Sequence, residues 1–338
     1  MRKLIGHDDV MTSFRASLDG PRLHHGWIFA GPKGVGKAAL AHRLATFHLA
    51  RAAGPSFPDH DMQVPDHHPI VKLIAAGTHP DFIRIERLPR KSEKGDSSDP
   101  TKLARNISVD QIRALREQLH RTPSLSPQRI VMIDVAEDME AGAANALLKI
   151  LEEPPANTMF FLISHMPGRL LPTIRSRCRL VRLRPLSDEQ VARIVADHMP
   201  ELDMAACNAL ALAAQGSPGQ ALQYAELDVA GIESTLDKVE RGDPSAAAER
   251  STLSRQLAGK AAQSRFELFL DYFPSRLARS VRQSGGDALA EGIALWERAS
   301  SLANSARRLS LDPESTVYEL TGYLAALHTS RTPSSRKS

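Results

Sequence analysis

Gly31-Pro32-Lys33-Gly34-Val35-Gly36-Lys37-Ala38 follows a short apolar run at 26–30 and opens an Ala- and Leu-rich stretch to about residue 50. A strand, a glycine-rich turn and a helix start in that order make a phosphate-binding P-loop pattern. Its glycines let backbone N–H groups turn inward around phosphate oxygens, the helix start adds its dipole, and Lys37 can reach the β- and γ-phosphates. Position 38, where a Ser or Thr hydroxyl would ligate magnesium, is Ala38. The ligand-free alternative is a tight strand-to-helix turn, and Ala38 adds weight to it.

Outward from the loop, β-like runs at 27–29, 82–85, 129–134, 159–164 and 179–184 alternate with helical patterns up to about residue 185, which reads as a parallel α/β sheet. Ser108 with Gln111 predicts a capped helix over 109–120, and Pro154-Pro155 should stop another over 145–153. The run 130–133 ends in Asp134, a Walker B arrangement that would help hold a metal ion, and Val135 follows. Glu137 should point elsewhere once the strand has ended. Beyond residue 185 the strand signals vanish. Ser187-x-x-Gln190 opens a small helical region to about 228, and a second runs over 229–328, with breaks at Gly242-Asp243-Pro244 and Gly285-Gly286. Residues 87–106 read as a basic, solvated insertion, and 329–338 as a disordered Ser-rich tail.

Composition sets bounds. In 338 residues with 42% hydrophobic content there is no apolar run of membrane-spanning length and no secretory h-region at the start, so a cytoplasmic chain without membrane association is expected. Two cysteines, Cys178 and Cys207, are too few for a disulfide framework or a four-cysteine zinc site, and no metal is implied. The net charge of +4 is too dispersed to argue for a stand-alone DNA-binding protein.

Several short stretches in one order resemble the delta-prime family of bacterial clamp-loader subunits, AAA+ proteins. They are His24-His25-Gly26-Trp27-Ile28-Phe29 before the loop, His79-Pro80-Asp81-Phe82, Ser108-Val109-Asp110, Asn145-Ala146-Leu147-Leu148-Lys149-Ile150-Leu151-Glu152-Glu153-Pro154-Pro155, and Leu171-Pro172-Thr173-Ile174-Arg175-Ser176-Arg177-Cys178. The resemblance covers most of 4–230. It implies an AAA+ RecA-like domain (1–185) with a degenerate nucleotide site, a small helical lid (186–228), an all-α collar (229–328) and the 329–338 tail. The implied partners are the delta and gamma/tau subunits and, through them, the sliding clamp and primed DNA.

In that family the Ser-Arg-Cys motif, Ser176-Arg177-Cys178 here, supplies an arginine to ATP bound by the adjacent subunit, which singles out Arg177. Arg175, Arg179, Arg182 and Arg184 read as ordinary basic surface, and Cys178 as a small buried apolar residue. Active relatives are implied to carry a glutamate where Val135 stands and a lid arginine where Gly219 or Gln220 stands. Ser164 falls at the position of a polar first sensor and can equally cap the next turn. Many relatives carry a cysteine-rich zinc module within 51–79; His60, His67, His68 and His79 here lack thiolate partners and read as scattered loop histidines. The resemblance therefore implies a subunit without turnover of its own and with no required cofactor, compatible with weak ATP or ADP binding without hydrolysis. The alternative is a true AAA+ ATPase, gamma-like, because Gly31 to Lys37 is intact.

Overall fold

A computed structural model of the chain describes residues 4–20, 23–58, 62–91, 98–225, 229–259 and 262–331. It divides into two compact units, Met1–Leu186 and Ser187–Ser338.

The first unit is built on a five-stranded sheet: β1 (Gly26–Ala30), β2 (Phe82–Glu86), β5 (Arg129–Asp134), β6 (Thr158–Ser164) and β7 (Arg179–Arg182), in the order β2-β5-β6-β1-β7. Every neighbouring pair is parallel. Parallel strands need crossovers, which place helices on both faces and force the strands to be apolar throughout. β1 and β6 are accordingly buried at every position.

Because side chains alternate along a strand, each strand feeds two cores. Trp27, Phe29, Met132, Phe161 and Ile163 pack on one face against α1 (Asp8–Leu18), α2 (Lys37–Ala52) and α3 (Pro69–Ala75). Ile28, Val131, Ile133, Phe160 and Leu162 pack on the other against α4 (Val109–Leu119), α5 (Ala141–Glu152) and α6 (Pro172–Arg177). Phe14 of α1 stands edge-on to Trp27 at 5.0 Å and to Phe161 at 5.8 Å, in the geometry favoured by ring quadrupoles. The capping box of α4 is present in both directions: the Gln111 amide donates to Ser108 Oγ at 3.4 Å and the Ser108 amide to Gln111 Oε1 at 3.1 Å.

The segment read as a loop at 87–106 contains a two-stranded antiparallel ribbon, β3 (Pro89–Lys91) with β4 (Ser98–Leu103), closed by the Ala104 amide on the Leu88 carbonyl at 2.7 Å. Its pairing is made by the backbone, so the charged sequence carries no apolar alternation to announce it. Residues 92–97 lie outside the described residues.

The second unit is helical: α7 (Asp188–His198), α8 (Met204–Ala214), α9 (Pro218–Ala225), α10 (Val229–Arg241), α11 (Ala246–Ala258), α12 (Gln263–Arg282), α13 (Asp287–Leu309) and α14 (Pro313–Arg331). The Ser187/Gln190 capping box opens α7, and the breaks at 242–244 and 285–286 fall between helices as read. The lid and collar ranges both lie in this second unit. Tyr224 of α9 stands against Tyr272 of α12 at 5.1 Å, and Gln215 Nε2 donates to the Ser275 carbonyl at 3.2 Å.

Residues 329–331 are the last turn of α14 and not part of a tail, because the Arg331 guanidinium is held by Glu240 at 2.8 Å, by Ser284 Oγ and by the Ser280 carbonyl. Residues 332–338 lie outside the described residues. At the centre of this unit Arg276, 4% exposed, is bound by Glu233 at 2.8 Å, Asp237 at 2.8 Å and Glu240 at 2.7 Å.

Candidate functional site

The loop joining β1 to α2 has the backbone its sequence requires. Gly36 caps α2 at φ 101°, a left-handed conformation that a side chain would strain. The Gly31 amide donates to the carbonyl of Ser164 at the end of β6, 3.3 Å away, which ties the loop to the sheet. Lys37 is 3% exposed, and its Nζ donates to the loop's own carbonyls, Gly31 at 2.8 Å and Pro32 at 2.6 Å. Burial pulls its pKa down to about 8, with the charges of Glu137 and Asp134 opposing the fall. Val35 packs in the core, and its carbonyl meets His7 Nε2 at 2.9 Å, a support from the preceding segment with no signature in the sequence.

Around Lys37 the structure adds one residue to the expected set and changes the role of another. Glu137 does not point away from the site. A 3-10 turn at Ala136–Asp138 folds the chain back after β5, so Glu137 Oε1 accepts from the amides of His165 at 2.6 Å and Met166 at 2.9 Å. Asp134 ends β5 as expected, but its Oδ2 accepts from Arg84 at 3.3 Å, and Arg84 also pairs with Glu86 at 2.7 Å. The magnesium donor set is therefore incomplete: position 38 offers a methyl group, and the carboxylate expected to help is engaged by a guanidinium. Phosphate fits better. Ser164 Oγ and His165 Nδ1 are buried polar atoms without a protein partner, and Ser164 is 0% exposed. Burial, with Lys37 nearby, holds His165 below the usual histidine range.

Arg177 stands apart from the loop, at the end of α6. Its guanidinium donates to Glu152 at 2.7 Å and to the Thr173 carbonyl at 3.0 Å, and its side chain remains 35% exposed. Ser176 is exposed, and its hydroxyl donates to the same carbonyl at 3.0 Å. The Arg177–Glu152 pair joins the motif ending α5 to the one ending α6. Gly26 joins a third, since a Cβ there would lie 2.7 Å from Cys178 Sγ. Cys178 is buried and its thiol is pushed up to about 12. Arg179 is structural: it donates to Ser17 Oγ at 2.6 Å and Ser13 Oγ at 2.8 Å and lies over Trp27.

Of the loop histidines, His68 caps α3 and His79 accepts from the Asp81 amide at 3.1 Å; His60 lies outside the described residues. Among the described residues no group of three or more His, Cys, Asp or Glu could hold a metal ion, and no helix is long and apolar enough to cross a membrane. Gly219 and Gln220 lie in α9 of the second unit.

Residues 6–187, more than half of the chain, match the family model described as DNA polymerase III, delta subunit. The chain belongs to this family. Its curated relatives include DNA polymerase III subunit delta' of Pseudomonas aeruginosa, 39% identical over 164 residues, which cover 48% of this chain and 44% of the relative. Subunit delta' of Escherichia coli is 34% identical over 213 residues, covering 61% and 56%. DNA polymerase III subunit gamma/tau of Mycobacterium tuberculosis is 30% identical over 237 residues, covering 69% and 38%. The chain thus spans about half the length of the curated delta' relatives it matches. The delta-prime resemblance stands, and so does the parallel α/β sheet expected of the first unit.

Proposed function

We propose that this chain is the delta-prime-type subunit of a DNA polymerase III clamp loader, a cytoplasmic assembly subunit that completes a neighbour's ATP site. It joins delta and gamma/tau subunits and, through them, acts on the sliding clamp and primed DNA. Its place in the polymerase holoenzyme is one of membership, with no polymerase chemistry of its own.

The observation that carries the proposal is the contrast between two places in the first unit. At the home loop, Ala38 and Val135 supply neither the magnesium hydroxyl nor a carboxylate at the water-positioning site, and Lys37 is turned onto loop carbonyls. Weak binding of ATP or ADP without hydrolysis is the most such a site supports. At the surface, Arg177 is held by Glu152 and the Thr173 carbonyl, with a third of its side chain exposed. A guanidinium aimed at the γ-phosphate of a neighbour's ATP neutralises charge developing in phosphoryl transfer and is worth about 10³ to 10⁵ in rate.

The test is the clamp- and DNA-stimulated ATPase of a reconstituted loader. Arg177→Ala should lower it by about three orders of magnitude, and Lys37→Ala should change it little. The second reading, a gamma-like active ATPase, draws on Glu137, whose charge acts on Lys37, and on the gamma/tau likeness. It predicts the reverse result and steady turnover by the purified chain.

A further inference from the structure

The disagreement between the P-loop and its metal ligands points to a specific mode of binding. We infer that the home site takes the phosphates of a nucleoside diphosphate or triphosphate without magnesium, with Arg84 supplying the positive charge that the ion supplies elsewhere. This rests on the reading above that the site does not hydrolyse nucleotide.

Three observations converge on Arg84. It sits on β2, the edge strand, and its Nη2 lies 3.3 Å from Asp134 Oδ2, on the carboxylate that the Walker B pattern reserves for the cation. It lines, together with Ala38, Ala39, His42 and Met132, a cavity of about 420 Å³ beside the start of α2. Its own side chain is 47% exposed, so the guanidinium is available to a ligand entering that cavity. Magnesium needs several oxygen ligands in near-octahedral array, and Ala38 offers none. A guanidinium needs no such array: it is permanently charged, weakly hydrated and able to donate to phosphate oxygens from its remaining N–H groups while its Nη2 stays on Asp134 and Glu86.

The remaining contacts a phosphate needs come from groups with nothing else to bind. Ser164 Oγ, fully buried where the Gly31 amide meets the Ser164 carbonyl, and His165 Nδ1 are both unpartnered. Lys37 completes the set by exchanging the Gly31 and Pro32 carbonyls for phosphate oxygens.

The experiment uses the purified full chain and two probes. ADP binding is followed by calorimetry in EDTA and in excess magnesium, and Mn²⁺ binding by electron paramagnetic resonance with ADP present. The wild-type chain should bind ADP equally in both buffers and should immobilise no Mn²⁺. Arg84→Ser should weaken binding in EDTA by about tenfold, and Arg84→Lys, which keeps a charge, should recover part of the loss. Magnesium should now help the Arg84→Ser chain, because Asp134 is freed.

Tighter wild-type binding in magnesium, wild-type uptake of Mn²⁺, unchanged EDTA binding by Arg84→Ser, or no saturable ADP binding at all would each overturn the inference. Thermal melts identify a variant that fails to fold, and Arg84→Lys then decides. None of these measurements involves Arg177 or a partner subunit, so their failure leaves the loader proposal standing.

Discussion

At the scale of single residues, a family motif does structural work in the first unit. In His79-Pro80-Asp81-Phe82, Asp81 is 1% exposed and its carboxylate accepts the amides of Ser124 at 2.9 Å, Leu125 at 2.7 Å and Ser126 at 2.9 Å. Asp81→Ala would take the acceptor from three amides, that of the buried Ser126 among them, and should lower unfolding free energy by about 2 kcal/mol, measured by denaturant titration. His48 is 7% exposed on α2, and burial brings its pKa from 6.5 to about 4. The unfolded chain therefore binds a proton near pH 6.5 that the folded chain refuses until about pH 4. Stability is full above that window and falls as pH drops through it, by about 3 kcal/mol at its lower end. Melting followed across the window should show this slope, and His48→Gln should flatten it. Neither role was legible beforehand: Asp81 stood out only within a family motif, and nothing in the sequence set His48 apart from the exposed histidines.

At the scale of elements, the sheet was the easiest part to read. Parallel strands buried on both faces must be continuous apolar runs, as the central β1, β5 and β6 are, while the edge strands β2 and β7 showed as β-like runs broken by arginines. The α4 and α7 starts were equally visible, because a capping box is a local pattern of two residues. The β3–β4 ribbon and the last turn of α14 were not, since backbone pairing and the contacts of Arg331 lie beyond any local pattern.

The Arg276 cluster belongs to the same class. Its carboxylates all come from α10, about 40 positions earlier in the chain. Arg276→Ala leaves Glu233, Asp237 and Glu240 without their shared cation in a partly buried setting. The loss should be about 3–5 kcal/mol, seen as earlier unfolding of the helical unit by circular dichroism. Arg276→Met, closer in volume, should cost less if lost packing contributes, but it too removes the cation between the three carboxylates, leaving Glu233 with Arg279 and Glu240 with Arg331, and should stay below wild type.

At the scale of the whole molecule, the functional proposal separates assembly from catalysis. Arg177 lies at the end of a six-residue helix, with its methylenes outside the two cores of the sheet. Arg177→Lys should therefore fold and enter the loader normally by size-exclusion chromatography. Its loader should still lose most of the stimulated ATPase, because an ammonium cannot reproduce the planar fork against phosphate. A loader that fails to assemble with this variant would assign Arg177 to the interface instead.

The amino-acid sequence on its own determined the strand-loop-helix order, the five strands of the sheet, the helical second half, the missing hydroxyl at Ala38 and the missing carboxylate at Val135. These are local properties, carried by residue type and by spacing over a few positions. Only the tertiary structure decided that Glu137 turns back onto the amides of His165 and Met166, that Arg84 pairs with Asp134, that Glu152 holds Arg177 and that the helices after residue 186 lie in one unit. Each of those depends on side chains brought together across tens of residues by the crossovers of the sheet or the packing of helices. Their geometry is set by the summed burial of the cores, which no short window of sequence contains.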